Sequence, residues 1–426
     1  MTVALVLLLL VLVLVNVPIA VALGLVAVVA IVATGGVAAL PNAGLLMFSG
    51  STKFPLIAIP LFILAGAIMN RSGISRRLVA FASAVFGFIR GGLSMVSISA
   101  SMFFAEISGS AVADVAALGS ILIPAMRKRG YSREFAAAVT SSSATLAVII
   151  PPSIPMILYG VMSGASVVEL FVAGILPGIA GGFLMMFVAY LWARRAKLPI
   201  EESFRLGHVW RTFREAGWSL LLPVVILGGI FGGWVTATEG AGLAVVAALL
   251  IGGVVYRELS PSRLRKAILE CGHQTAVVML LVASSALLGD FLTEVRVPQQ
   301  IAASIMEITD SKLAILALLN LFLLAVGLFL HSAAAIILVV PVVMPLIQAA
   351  GIDPVHFGLI VTLNLGIGQQ TPPVASVLVT ACSVARADIW RVTRANLWFI
   401  AVLLAILGVV TYVPGFSMAL VELFYR

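Results

Sequence analysis

The chain has 426 residues, of which 62% are hydrophobic and only 10% charged, and its mean hydropathy is +1.20. Soluble globular proteins carry about a quarter charged residues, so this composition excludes that class and implies a polytopic membrane protein in a lipid bilayer. The formal net charge of +8 does not point to nucleic acid, because the basic residues lie in short clusters between apolar spans and form no continuous basic face.

The N-terminal segment 3–34 has no basic leader region and is longer than a signal-peptide core, so it is expected to stay in the membrane. Asn16 and Pro18 at its centre divide it into two short spans. Segment 54–70 is the next span, followed by a basic connector with Arg71, Arg76, Arg77 and Arg90. Segment 91–126 is apolar but broken at Ser108-Gly109-Ser110, too short for two full crossings at roughly 20 residues each, and suits a re-entrant helical hairpin. Segment 133–162 is a span interrupted around 141–145 and at Pro151-Pro152, and 167–193 returns. The connector 194–215, with Phe204, Val209, Trp210 and Phe213 at helical spacing, reads as an interfacial amphipathic arm between the halves. Spans at 217–235, 239–256 and 273–291 follow. A second hairpin at 312–350 has its tip near His331, and after it come a broken span at 356–385 and a last span at 395–413. The four glycines Gly228, Gly229, Gly232 and Gly233 make overlapping GxxxG pairs, a weak sign of a packing face.

A repeat underlies this layout. Adding 221 carries Pro124 to Pro345, Gly130 to Gly351, and Pro151-Pro152 to Pro372-Pro373. Helix breakers placed deep in apolar segments at matching positions mark secondary transporters, whose broken helices meet at a midplane site. If the first hairpin opens to the cytoplasm, 21 of the 25 Lys and Arg are cytoplasmic, and only Lys53, Arg296, Lys312 and Arg426 lie outside. The positive-inside rule therefore favours an inverted repeat with both termini periplasmic. Cys271 and Cys382 fall on the reduced side and are expected to stay unpaired.

A helix broken in hydrocarbon leaves amides and carbonyls unpaired, each costing on the order of several kcal/mol unless bound. Free amides at a half-helix N-terminus favour a carboxylate, and free carbonyls favour sodium. The Ser108-Gly109-Ser110 tip supplies permissive backbone and two hydroxyls, and Leu330-His331-Ser332 is expected to face it by symmetry. Thr140, Ser141, Ser142, Ser143 and Thr145 form a hydroxyl cluster in an apolar span, matched in the second repeat by Asn364, Gly366, Gly368, Gln369, Gln370 and Thr371. Oxygen-rich and weakly charged, these suit a hard monovalent cation, although close helix packing also favours Ser, Thr and Gly. Of the intramembrane ionisable residues, Glu106 and Asp114 flank the first tip, Asp290 and Glu239 lie near span ends, and His331 could hold a carboxylate or act as a neutral hydrogen-bonding residue.

With these residues in view the chain resembles the large membrane subunit of tripartite ATP-independent periplasmic (TRAP) transporters. The likeness runs through FPLIAIPLFILAG at 54–66, GGLSMVSISASMFFAEISGSAVADVAALG at 91–119, IPAMRKRGY at 123–131, IIPPSIPMILYG at 149–160, GIDPVHFG at 351–358 and TPPVAS at 371–376. It implies an all-α, inverted-repeat, elevator-type transporter with two re-entrant hairpins, two broken helices and about 10 full spans. The transport domain would be 91–163 and 312–385. The scaffold would be 1–90, 164–311 and 386–426. It further implies sodium (Na+) coupling, an organic acid substrate such as a dicarboxylate or sialic acid, a small four-helix membrane subunit, a periplasmic substrate-binding protein, and the bacterial inner membrane. Sodium would be held by Ser108, Gly109, Ser141, Ser142, Thr145, Leu330, Gly366, Gly368, Gln370 and Thr371, and substrate by Ser108, Gly109, Ser110, His331, Ser332, Pro152, Thr371 and Pro373. Two departures stand out, since the family commonly has Asp where this chain has His331, and Gly where it has Ala375. A stand-alone carboxylate transporter is the alternative within transport. An intramembrane enzyme is disfavoured because His208, His273, His331 and His356 show no spacing such as HExxH.

Overall fold

The computed structural model describes the chain except for Met1, Asn16, Gly109, Pro199, Glu201, Glu202 and Ser203, and it leaves undescribed the side chains of Thr2, Val3, Val6, Leu10, Leu14 and 105–108. Twenty α-helices follow one another among the described residues: α1 Thr2–Leu14, α2 Ile19–Gly35, α3 Leu40–Ser51, α4 Ala58–Arg71, α5 Ile74–Phe86, α6 Gly92–Ser108, α7 Ala111–Lys128, α8 Arg133–Ala144, α9 Ile154–Ser163 and α10 Val167–Arg195 in the first half. The second half holds α11 Leu206–Phe231, α12 Ala237–Leu249, α13 Pro261–Glu294, α14 Val297–Ile308, α15 Lys312–Phe329, α16 Ser332–Ala349, α17 Pro354–Gly368, α18 Ser376–Ala385, α19 Ile389–Tyr412 and α20 Pro414–Tyr425. Among the described residues, eight helices are long and apolar enough to cross a membrane, and the chain is an all-α polytopic membrane protein.

Both hairpins form where the breakers predict them, α6 with α7 and α15 with α16. Both broken helices form as well, α8 with α9 and α17 with α18. Adding 221 to the first residues of α6 to α9 (92, 111, 133, 154) gives 313, 332, 354 and 375, against 312, 332, 354 and 376 for α15 to α18. The packing repeats in the same sense: α6 lies on α8 as α15 lies on α17, while α7 packs on α18 and, reciprocally, α16 on α9. Such an exchange of partners is what a pseudo-two-fold relation between the repeats requires.

The broken helices lie at the centre of the molecule: every residue from Phe135 to Gly160 and from Val355 to Gln370 is buried. The contacts of charged side chains gather at two ends. At one, Arg76 and Arg77 pair with Glu258 and Arg71 with Glu270. At the other, Lys53 reaches the Val161 carbonyl, Lys312 that of Gly351, and Arg426 the carboxylates of Asp353 and Glu169. These contacts join residues that the charge count assigns to the same face, so the former end is called the basic face below.

Several expectations need correction. The break at 16–18 yields two helices, but Asn16 itself lies outside the described residues. Four helices were not foreseen: α3, α5 within the basic connector, α14 and α20. The amphipathic arm is no separate element, since from Leu206 onward it is the start of α11, with Phe213 packed on Phe81 and Phe204, just before it, on Phe88. The GxxxG glycines fall at the end of that helix, where Gly232 caps it and Gly233 takes a left-handed φ of 71°; a Cβ on Gly229 would meet Val235 at 3.1 Å, and one on Gly228 or Gly233 nothing of this chain within 4 Å.

Candidate functional site

The second arm of each hairpin begins at a capping side chain. Ser110 caps α7 by accepting from the Ala113 amide at 3.5 Å, and His331 caps α16 through Nδ1, which accepts from the Ala333 amide at 3.4 Å. A ring nitrogen that accepts carries no proton, so the neutral imidazole keeps its proton on Nε2. The 221-residue offset pairs Ser110 with His331, one residue earlier than the expected match of Ser108-Gly109-Ser110 with Leu330-His331-Ser332. Gly109 and the side chains of Ser108 and Glu106 lie outside the described residues.

Both tips open into one cavity of about 740 Å³, lined at its inner end by Ser110, His331, Ser332 and Gln369 and extending to Asn70, Arg71 and Glu270 on the basic face. Its outer wall is the face of α7 formed by Ala116, Ala117, Ser120 and Ile121. A second cleft, of about 10 Å³, separates α13 from α16 at Ile337, Leu338, Pro341 and Val342. Subtracting 221 from these four numbers gives 116, 117, 120 and 121. The open cavity and the closed cleft are thus the same surface in the two repeats.

Between the tips, the two broken helices are tied by buried amides and hydroxyls. Gln370 Nε2 donates to the Ser141 carbonyl at 2.7 Å and to Thr145 Oγ1, and its Oε1 accepts from Asn396 Nδ2 at 3.1 Å. Asn396 Oδ1 in turn accepts from Ser142 Oγ at 2.6 Å. Four of the predicted sodium residues, Ser141, Ser142, Thr145 and Gln370, therefore meet, but in a network that largely satisfies itself. Gly366 lies against Thr145, where an added Cβ would come within 3.0 Å of Cγ2. Gly368 lies against the Gly327 backbone at 2.4 Å by the same measure, a close approach of α17 to α15. Both glycines thus sit at close contacts between helices. Thr371 bonds back to the Ile367 carbonyl at 3.1 Å, Leu330 is half-buried, Pro152 is buried and Pro373 exposed. Pro151-Pro152 and Pro372-Pro373 are both cis. In the second break the Val374 amide donates to the Leu328 carbonyl at 3.2 Å, which couples the loop to hairpin 2.

Glu239 closes a capping box with Thr236, and Asp290 is exposed on a shallow rim beside Asn42, so both are structural or solvated. Asp114 is buried in the first turn of α7. Asn396 was missed because it is a lone amide one residue into an apparent span, where snorkelling to the interface is the ordinary explanation. A second amide chain was also missed, in which Asn364 donates to Asn320 at 2.6 Å and Asn320 to Thr411 at 3.1 Å.

The profile of the family described as "Tripartite ATP-independent periplasmic transporter, DctM component" matches residues 6–416. The isethionate TRAP transporter permease protein DctMQ of Oleidesulfovibrio alaskensis is 40% identical over 397 residues, which are 92% of this chain and 62% of that protein. The chain thus spans less than two thirds of that relative's length. The C4-dicarboxylate TRAP transporter large permease protein DctM of Pseudomonas aeruginosa is 40% identical over 88% of each chain. The sialic acid TRAP transporter large permease protein SiaM of Vibrio cholerae is 38% identical over 89% of this chain and 88% of its own. In three dimensions the chain is similar to the YdaH transporter of Alcanivorax borkumensis, with a TM-score of 0.64 at 16% identity over 91% of this chain and 90% of that one. That likeness concerns the fold alone.

Proposed function

The chain belongs to the DctM component family of tripartite ATP-independent periplasmic transporters, and from that premise we propose that it is the large permease of a sodium-coupled importer of a small organic acid. Its partners in this reading are a small membrane subunit and a periplasmic substrate-binding protein, and its place is a bacterial inner membrane with both termini periplasmic. The relatives' names give isethionate, C4-dicarboxylates, sialic acid and 2,3-diketo-L-gulonate as cargo. A small, polar organic anion is the class they share.

One observation carries the mechanism. The repeat-related surfaces of α7 and α16 stand in opposite states, one facing a cavity of about 740 Å³ and the other a cleft of about 10 Å³. If the repeats exchange roles, the open side closes and the closed side opens, while the tips at Ser110 and His331 keep their place around the substrate. Alternating access by an elevator follows from that exchange. The moving unit then comprises the hairpins and broken helices, and we add α19 to it. Asn396 of α19 bonds both Ser142 and Gln370, and buried amide bonds across a sliding surface would have to break in every cycle.

At the tip, the Nε2–H of a neutral His331 is a donor for the substrate carboxylate, and the free amides that begin α7 and α16 supply further positive potential. Sodium coupling is supported by the concentration of carbonyl and hydroxyl oxygens at the breaks around Ser141, Thr145 and Gln370. The test is uptake by proteoliposomes holding this chain and its small subunit, with binding protein added or omitted and sodium present or replaced by potassium. Accumulation should need both. Uptake indifferent to both would refute the reading, and uptake needing sodium alone would make the chain a stand-alone carboxylate transporter.

A further inference from the structure

The open cavity reaches the basic face through a polar mouth formed by Asn70, Arg71, Ser75, Glu270, His273 and Gln274. Arg71 is the one permanently cationic residue among its described lining. Its Nη2 donates to Glu270 Oε2 at 2.7 Å, with the two side chains 33% and 42% exposed, while its Nε is buried with no acceptor among the described residues. The exposed part of the guanidinium is thus reachable from the cavity, and its buried Nε is without an acceptor among the described residues. Repeat symmetry does not demand it, because the residue 221 further on is Leu292, which lines the closed cleft. The two repeat-related surfaces thus differ at this position, charged on the basic face and apolar on the other.

We propose that Arg71 is an exit subsite, which receives the carboxylate or other anionic group of the organic acid after it leaves the hairpin tips and before it reaches the cytoplasm. The inference rests on the permease reading above. The planar N–H edge of a guanidinium matches two anion oxygens, so a departing acid can exchange with Glu270 for Arg71. Re-formation of the Arg71–Glu270 pair then displaces the acid and keeps its stay short. Arg71 ends α4 and Glu270 lies in α13, and these helices pack on each other, so the subsite stays with the scaffold and is met only in the open arrangement.

The experiment uses proteoliposomes of the chain and its small subunit, with succinate, N-acetylneuraminate and isethionate as labelled probes, and measures exit as a function of lumenal concentration on the cytoplasmic face. For the probe that the wild type carries, Arg71→Gln should raise the lumenal half-saturating concentration about tenfold or more. It should leave the half-saturating concentration of binding protein on the outer face unchanged. Glu270→Gln, which frees the guanidinium, should lower the lumenal value, and it serves as the second variant if Arg71→Gln folds poorly. Unchanged lumenal values in both variants, or equal changes on the two faces, would overturn the subsite and leave the pair as a scaffold contact. Wild-type vesicles that carry none of the three probes would overturn the permease reading and the subsite with it.

Discussion

Replacing Gly368 by alanine separates a packing role from a tolerance for any small residue. The new Cβ would sit 2.4 Å from the carbonyl carbon of Gly327 and 2.5 Å from its Cα and O. Ordinary carbon contacts lie at about 3.5–4.0 Å, so α15 and α17 would have to part by roughly 1 Å. No side-chain rotation relieves the clash, because every close atom is backbone. Overpacking of this kind costs about 1–3 kcal/mol, and a rigid partner puts Gly368→Ala at the upper end. Gly366→Ala meets the Thr145 methyl at 3.0 Å and Val148 at 3.6 Å, both of which can yield, so it should cost under about 1 kcal/mol. Gly327 also lies four residues before His331, so parting the helices moves the second tip. Thermal denaturation of the purified protein in detergent should rank wild type, Gly366→Ala and Gly368→Ala in falling order, with uptake lost mainly in the last. Wild-type stability and uptake in Gly368→Ala, or a larger loss in Gly366→Ala, would refute the close approach.

Three further outcomes follow from single residues. Ala375 holds a left-handed conformation at φ 41° and ψ 50°, so Ala375→Gly should stabilise the protein by about 1 kcal/mol with uptake retained, and a stability equal to or below wild type would contradict that geometry. Burial tends to raise the pKa of Asp353, but the hydrogen bond from Arg426 and those from the His356 and Val355 amides outweigh it and hold the carboxyl below its usual value. A folded-state pKa that is depressed adds stability above the unfolded value and loses it as pH falls through the folded one. Asp353→Asn should therefore be less stable than wild type at neutral pH by about 1 kcal/mol, the pair being partly exposed, with the gap closing below about pH 4. A gap independent of pH would refute a contribution from the carboxylate's charge, since asparagine keeps a capping oxygen. His331→Asp restores a tip carboxylate and should steepen the dependence of uptake on sodium, whereas an unchanged slope would deny that position a part in ion coupling.

What the residues revealed in advance depended on how helix breakers were interpreted. Deep in an apolar run, Ser110, His331 and the paired prolines could only be interruptions, and the hairpins and broken helices were legible at once. Near the ends of short segments the same residue types begin helices instead of interrupting them. Pro41, Pro298 and Pro414 sit at the first or second position of α3, α14 and α20, where a proline starts a helix and loses no hydrogen bond. The site was only partly legible. Clustered hydroxyls at 140–145 and the amides near 370 announced themselves by polarity, but their partner Asn396 comes from a helix distant in sequence. The close contacts of Gly366 with Thr145 and of Gly368 with Gly327 are distances that no spacing contains.

Exchange of the two cavities is open to direct measurement by paired cysteines on a background lacking Cys271 and Cys382. Ser285 and Leu338 line the closed cleft, and their counterparts 221 residues earlier are Leu64 and Ala117. The Ser285→Cys/Leu338→Cys pair should cross-link in the protein alone and less during sodium-driven uptake. The Leu64→Cys/Ala117→Cys pair should do the reverse, cross-linking only when substrate, sodium and both partner proteins are present. Cross-linking of either pair that stays the same under all conditions would contradict an elevator that swaps the roles of its repeats.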